Sequence, residues 1–363
     1  MNQRKHKEVL ILFLFIILAY CLGYRTNVSA AKVYFSIEKF TIGQGYLVEP
    51  VEIEIKDNEP VSTVTERVLK QAGYTPNIRP DYDWYLAGID NADNGNGSVP
   101  KCIQNMAEDA PRTEDLVPAK EKNMDFPGLY EFSYSQTAGW MFFVNNRDMP
   151  VGAANYHLRD GDVVRLRFTL YSKDRYGEDL GSGENGLALP NLDAVTRRMA
   201  VYNSNRKACD AKGYAPVYKS VKAVVTNMDS TPQEVQQAYA KLPTEEKMRQ
   251  WGAELAEKEK AAADKKKYTP SKAKITKITS RKKLAKLTWK KIPGVSGYQI
   301  QMSKKKASGF KKIATIKKAK TVTYTKKKLK SKKTMYFRVR AYRKVGKTTY
   351  YGAYSTVKKI KIK

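Results

Sequence analysis

The alternation of apolar and polar residues divides the chain into three segments. In the first, the residues from Val51 to Ile55 alternate between aliphatic and acidic side chains, which is the period of a half-buried strand. Helical spacing follows it, and strand-like runs at 139–144 and 163–170 close the segment. This order of elements predicts an α+β domain over residues 32–183.

The second segment, residues 190–267, has apolar residues three or four positions apart, as in Leu192, Val195 and Met199. Thr231 and Glu234 have the spacing of a capping box, with proline in the first turn between them. The pattern predicts a small helical bundle, which we interpret as a spacer between two domains. The residues from 227 onward (NMDST) are similar to the FIVAR-type three-helix repeats of bacterial wall proteins.

The third segment, residues 270–363, has short alternating runs separated by turn signals, which predict an all-β sandwich. If Phe337, Val339 and Ala341 face the core, the residues between them share the outer face. That face would carry cations and aromatic rings, which suit polyanions or sugars. The alternative is a solvated sheet face. The candidate anion or glycan contacts are Tyr336, Arg338, Arg340, Tyr342, Lys304, Lys305 and Lys306.

The net charge of +31 is concentrated in this third segment. The chain has 67 basic and 36 acidic residues, and residues 270–363 contain 32 of the basic and none of the acidic ones. The other residues therefore hold 35 basic and 36 acidic side chains, a net charge of −1. One wholly cationic domain predicts an anionic partner.

The first thirty residues identify the compartment in which this partner is expected. A basic start, an uncharged apolar run from Val9 to Leu22 and a small-x-small pattern ending at Ala30 are typical of a signal peptide over residues 1–30. A retained anchor helix and a lipid anchor at Cys21 are the alternatives. We therefore expect an extracellular protein without a transmembrane helix in the mature chain. Its anionic partner would be a cell-wall polymer such as teichoic acid rather than nucleic acid.

Three motifs of the first segment resemble a known family. They are EKFTIGQGY at 38–46, GWM at 139–141 with VNN at 144–146, and DGDVVR at 160–165. Together they are similar to the transcobalamin-like C-terminal domain of Gram-positive surface proteins, whose function is unknown. The resemblance implies a β-grasp-like fold, and it raises corrinoid binding as an alternative function.

The same motifs have a structural interpretation as well. Trp140 offers a large apolar surface, and Asn145 and Asn146 tolerate left-handed turn geometry. We favour a scaffold role for all three, and we keep ligand contact in the N-terminal domain as the second interpretation.

The third segment also resembles a known family. Its runs LTW at 287–289, GYQI at 297–300 and FRVRAY at 337–342 are similar to a fibronectin type III domain. Met335 occupies the position where that family usually has its corner tyrosine, so we expect the corner hydrogen bond to be absent.

Motifs for catalysis and metal binding are absent from the sequence. It has no nucleophile elbow, phosphate loop or dinucleotide fingerprint, and the loop from Asp90 to Gly97 lacks calcium-ligand spacing. We predict no catalytic residues, cofactor or metal site. Cys102 and Cys209 could pair outside the cell, but we favour two separate thiols.

These observations favour an exported, multi-domain, non-enzymatic binding or adhesion protein. Its basic C-terminal domain would hold it at an anionic wall, and its N-terminal domain would present a site for an unknown ligand or protein partner. Because the sequence has no sorting motif, we expect no covalent attachment to the wall. The alternatives are a secreted carrier of a corrinoid-type small molecule and an extracellular hydrolase.

Overall fold

A computed structural model describes residues 30–95, 97–105, 115–171 and 190–363. The chain forms two compact units, Met1–Gly252 and Ala253–Lys363, which confirms the prediction of more than one domain. Residues 1–29, on which the signal-peptide prediction depends, lie outside the described residues. None of the helices among the described residues is both long enough and apolar enough to cross a bilayer.

The main sheet of the first unit has the strand order β2-β1-β8-β6-β7. The central strands β1 and β8 are parallel, and the other neighbours are antiparallel. Strand β8 is buried along its whole length, because it lies in the middle of the sheet and both of its faces are covered. The strands are β1 Lys32–Glu38, β2 Tyr46–Glu54, β6 Gly139–Val144, β7 Arg147–Asp148 and β8 Val163–Thr169.

A smaller antiparallel sheet, ordered β3-β4-β5, belongs to the same unit. Helix α1 follows β2 and buries its valines and Leu69 in the common core. The elements are α1 Val61–Gln71, β3 Thr75–Arg79, β4 Tyr85–Asp90, α2 Lys101–Gln104 and β5 Gly128–Tyr130, with 3-10 turns at Phe40–Ile42 and Pro80–Tyr82.

Five helices complete the chain before the sandwich. They are α3 Asp193–Ser204, α4 Arg206–Ala211, α5 Ala215–Val225, α6 Pro232–Lys241 and α7 Glu245–Tyr268. The predicted capping box is present at the start of α6: Glu234 N donates to Thr231 Oγ1 at 3.2 Å, and Thr231 N donates to Glu234 Oε2 at 2.8 Å.

The helices do not form the separate spacer over residues 190–267 that the sequence suggested. Their apolar faces share one hydrophobic core with the main sheet. Polar bonds join the same elements, since Asn203 Nδ2 donates to Pro50 O at 2.7 Å and Arg249 donates to Glu52 at 2.9 Å. The first unit ends at Gly252, within α7. The apolar faces of the helices are buried against the sheet and not only against each other. Helical periodicity shows that a helix has an apolar face but not what covers it.

The second unit contains the predicted all-β sandwich. One sheet is ordered β13-β10-β9 and the other β12-β11-β14-β15, with β16 paired to β14. Trp289, Tyr298 and Phe337 are fully buried between them, and Met335 is buried as well. The strands are β9 Ile275–Arg281, β10 Leu284–Trp289, β11 Gly297–Ser303, β12 Lys311–Ile316, β13 Thr323–Lys326, β14 Thr334–Val345, β15 Thr348–Tyr351 and β16 Lys358–Lys361.

Candidate functional sites

Strand β14 has the alternation that the sequence predicts. Phe337, Val339 and Ala341 are completely buried, whereas the residues between them are half-buried on the outer face. That face therefore carries the candidate residues Tyr336, Arg338, Arg340 and Tyr342.

Two glutamines on the neighbouring strand fix the arginines of this face. Arg338 pairs with Gln301 across the two strands, and its Nε donates to Gln301 Oε1 at 2.8 Å. Arg340 pairs with Gln299, and its Nε donates to Gln299 Oε1 at 2.8 Å. These two bonds set the orientation of both guanidinium groups.

Aromatic rings cover the same two guanidinium groups. The Arg338 guanidinium carbon lies 4.2 Å from the ring centroids of both Phe310 and Tyr354. The Arg340 guanidinium carbon lies 4.0 Å from Tyr351 and 4.7 Å from Tyr354. Stacking of this kind is attractive because the ring face is electron-rich. We call this row of alternating rings and cations, Phe310, Arg338, Tyr354, Arg340 and Tyr351, the arginine ladder.

The other candidates of the second unit lie on β14 or in the turn that follows β11. Tyr342 is 6.1 Å from Tyr351 between ring centroids, and its hydroxyl donates weakly to Ile316 O at 3.4 Å. Tyr336 pairs with Ser303 across the strands. Lys304, Lys305 and Lys306 follow Ser303 directly and are exposed in the turn before β12.

The sequence analysis missed three ring residues and two amides. Alternation along β11 could have placed Gln299 and Gln301 on the outer face, because they alternate with the buried Tyr298 and Ile300. Phe310, Tyr351 and Tyr354 reach the ladder only through strand pairing and the course of the loops, which a single sequence does not reveal. The rings that cover the arginines also have less free surface for stacking on a sugar than the sequence suggested.

The candidate ligand residues of the first unit have structural contacts. Trp140 is only 8% exposed, its Nε1 donates to Leu129 O at 3.1 Å, and its ring meets Phe168 edge-on at 5.2 Å. Asn145 and Asn146 adopt left-handed conformations in the turn between β6 and β7. Asn145 also joins this turn to β8, because its Nδ2 donates to Asp162 Oδ1 at 2.8 Å and its Oδ1 accepts from Val163 N at 3.0 Å.

A charged cluster is completely buried in the first unit. Arg165 donates two bonds of 2.7 Å to the two carboxylate oxygens of Glu38, and Ser36 donates a third at 2.8 Å. The guanidinium carbon of Arg167 lies 4.0 Å from the centre of the Phe143 ring. Burial by itself would raise the pKa of Glu38, but the charge and hydrogen bonds of Arg165 outweigh it and hold that pKa below its usual value.

An exposed aromatic loop between β3 and β4 is a further feature that the sequence analysis missed. Tyr82 is 66% exposed and its ring lies 6.0 Å from that of Tyr85. Asp83 and Trp84 both have left-handed backbone conformations, and the Trp84 Nε1 donates to Glu66 at 2.6 Å. A tryptophan in this conformation is strained, and such strain is concentrated at functional sites in proteins.

The two cysteines of the described residues lie in the first unit. Cys102 and Cys209 are both free, and burial raises their pKa values to about 12 and about 11. Among the described residues of the whole chain, no group of three His, Cys, Asp or Glu residues could hold a metal ion.

A family model described as "Domain of unknown function (DUF4430)" matches residues 127–169. This is a transcobalamin-like domain family, so the predicted resemblance is confirmed over these residues, which include β5 to β8. No curated protein matches the chain.

Solved structures similar to this chain include two fibronectin type III folds. One is the sixth fibronectin type III domain from human fibronectin type III domain containing protein 3, with 23% identity, a TM-score of 0.22 and coverage of 26% of this chain and 85% of that one. The other is an Fn3-like protein from Clostridium thermocellum, with 23% identity, a TM-score of 0.19 and coverage of 24% and 86%.

A third similar structure is a β-1,2-glucanase from Parabacteroides distasonis, with 15% identity and a TM-score of 0.22. The match covers 26% of this chain and only 13% of the glucanase, so it does not establish catalysis. TM-scores at this level carry no argument about function.

Proposed function

We propose that this chain is an exported, non-enzymatic binding protein that its basic sandwich retains at an anionic cell-wall polymer such as teichoic acid. In this proposal, the first unit is a β-grasp-like domain that is presented for a ligand or protein partner. The second unit is a fibronectin type III-like sandwich that serves as the anchor.

The observation that carries the proposal is the match between charge and fold. The stretch without any acidic residue, 270–363, coincides with the β-sandwich and contains 32 basic side chains. Many of the lysines are exposed, among them Lys304, Lys305 and Lys306. Each basic residue close to an anionic surface contributes about 1 kcal/mol, an effect that fades beyond a Debye length. A surface of this kind binds polyanions cumulatively.

The first unit supports the presenting role through its exposed aromatic loop. Since Trp140 is buried and Asn145 is engaged in a turn, the aromatic side chains of the first unit that are open to a partner include Tyr82 and Tyr85 of this loop, and Phe132 is exposed as well. The parallel pairing of β1 with β8 and the position of α1 after β2 support the β-grasp-like interpretation.

Two other functions make different predictions. A corrinoid carrier would change the absorption spectrum of cobalamin on mixing. The hypothesis of a carrier rests on the resemblance of residues 127–169 to a transcobalamin-like family. An extracellular hydrolase would turn over wall glycans or peptides.

The anchoring proposal can be tested with a purified poly(glycerol phosphate) and the full chain at several salt concentrations. We expect the binding constant to fall steeply as salt rises, because the polymer's counterions are released on binding. Poly(glycerol phosphate) that does not bind even at low salt would contradict the proposal.

A further inference from the structure

The arginine ladder holds two cations in a fixed arrangement. Each guanidinium lies against two aromatic rings, and its Nε is engaged by a glutamine. The Tyr354 hydroxyl donates to Gln299 Oε1 at 3.1 Å, so the ring between the arginines is also held in place. Among the described residues, the other guanidinium nitrogens of Arg338 and Arg340 form no hydrogen bond, so their N–H groups are the donors left for a ligand.

No carboxylate of the sandwich balances these two charges. Residues 270–363 contain no Asp or Glu, and within the described chain neither Arg338 nor Arg340 forms an ion pair. Two half-buried cations held without a counterion are uncommon, because partly desolvated charges are normally paired. The arrangement is therefore complementary to an external anion.

The two arginines stand on the same face of one strand, two residues apart. Strand geometry separates their Cα atoms by roughly 6.5–7 Å along the chain direction. Two anionic groups that recur along an extended polymer could meet the two arginines in succession.

We propose that Arg338 and Arg340 form a double fork for the phosphate groups of a phosphodiester-linked polymer, with Gln299, Gln301 and Tyr354 as positioning residues. This inference rests on the proposed function and deepens it. The planar guanidinium matches two oxygens of one phosphate, a geometry that a lysine ammonium cannot reproduce. The ladder supplies preference for phosphate, whereas the exposed lysines supply general attraction to any polyanion.

Phosphate is favoured over carboxylate because of hydration. Guanidinium is more weakly hydrated than ammonium, and the rings of the ladder remove further water from its faces. A phosphodiester is a weaker base than a carboxylate, so its oxygens hold water less strongly and give it up more easily.

The decisive test places a carboxylate beside each arginine by replacing the two glutamines beside the ladder with glutamate. Gln299→Glu with Gln301→Glu keeps an oxygen acceptor for each Nε and lowers the net charge by two. Lys304→Gln with Lys305→Gln lowers the net charge by the same amount and leaves the ladder intact. Binding of the full chain to poly(glycerol phosphate) is then measured for both variants by titration calorimetry, with thermal unfolding as a check of folding.

We expect the glutamate variant to bind about tenfold more weakly and the lysine control no more than about threefold more weakly. Equal weakening of both variants would overturn the ladder as a site, although the proposed function would stand. Failure of the unmodified chain to bind the polymer at low salt would overturn both.

A second variant tests the preference for phosphate and does not depend on the net charge. Arg338→Lys with Arg340→Lys keeps both charges but removes the forks. The unmodified chain should bind poly(glycerol phosphate) about tenfold more tightly than polyglutamate of the same charge density, and the lysine variant should bind the two polymers almost equally. A preference that is absent in the unmodified chain, or unchanged in the variant, would contradict the proposal.

Discussion

At the scale of single residues, the small sheet of the first unit depends on one glycine beneath a ring. The Tyr130 ring lies over Gly88 and stacks on Phe126 with a centroid distance of 4.9 Å and an angle of 6°. Its hydroxyl donates to the carboxylate of Asp90. A Cβ at position 88 would overlap the ring, so any larger residue there must displace this stack.

We predict that Gly88→Ala lowers the free energy of unfolding by about 1–3 kcal/mol, because the added methyl group overpacks the site. Gly139→Ala is the matched control, since a Cβ there would meet only the Glu131 Cβ at an ordinary 3.8 Å. Urea unfolding followed by tryptophan fluorescence measures both variants. Equal stability of the Gly88→Ala variant and the unmodified chain would show that the Tyr130 ring does not lie directly over position 88.

The buried pair of Glu38 and Arg165 makes stability depend on pH. The folded-state pKa of Glu38 lies below its unfolded value, so its contribution to stability is complete above about pH 4.3 and is lost as pH falls through the lower, folded pKa. We predict that Glu38→Gln lowers the free energy of unfolding by about 3 kcal/mol at pH 7, because it removes the carboxylate charge to which the buried Arg165 guanidinium is bonded.

Unfolding curves measured between pH 7 and pH 3 test this prediction, with Glu246→Gln as a surface control. The Glu38→Gln variant should lose less stability than the unmodified chain on acidification below about pH 4. Parallel pH profiles for the two proteins would show that Glu38 does not titrate as described.

At the scale of elements, Glu49 of β2 connects the main sheet to the helices. Its carboxylate accepts from Lys222 at 2.7 Å and from Arg206 and Tyr218 at 2.8 Å each. Burial opposes ionisation of Glu49, but these hydrogen bonds outweigh it and hold its pKa below the usual value. One side chain thus joins β2 to both α4 and α5.

We predict that Glu49→Gln destabilises sheet and helices together by about 1 kcal/mol, a value reduced by the partial exposure of the site. Helix content is followed by circular dichroism, and sheet packing by the fluorescence of Trp140 in a background in which Trp84, Trp251 and Trp289 are phenylalanine. Both signals should shift to the same lower midpoint. A shift of the helical signal alone would show that the helices fold as the separate spacer that the sequence suggested.

Some of these elements could be predicted from the sequence and others could not. The alternation around Phe337, Val339 and Ala341 predicted the buried face of β14, and the Thr231 capping box predicted the start of α6. Alternation could not reveal the burial of Arg165 in β8, because a central strand is buried on both faces. The partner of a helix face, and the rings that reach the arginine ladder, depend on packing between distant parts of the chain.

At the scale of the whole molecule, the central feature is the segregation of charge. The residues outside 270–363 are almost balanced, whereas that stretch carries only basic charge. The structure contains this stretch within one compact unit, Ala253–Lys363, so its cations form a surface of a folded body. The second unit can therefore hold the protein at a polyanion, and the first unit has a separate hydrophobic core that does not depend on this binding.

Salt-dependent retention on purified Gram-positive cell walls, prepared with and without teichoic acid, tests this account most directly. The full chain is compared with a variant in which Lys304, Lys305, Lys306, Lys317 and Lys318 are glutamine, and with a matched variant in which they are arginine. We predict that the unmodified chain and the arginine variant stay on intact walls and are released by salt or by removal of teichoic acid, whereas the glutamine variant is released at lower salt. Equal retention of all three proteins, or retention unaffected by salt and by loss of teichoic acid, would contradict the account.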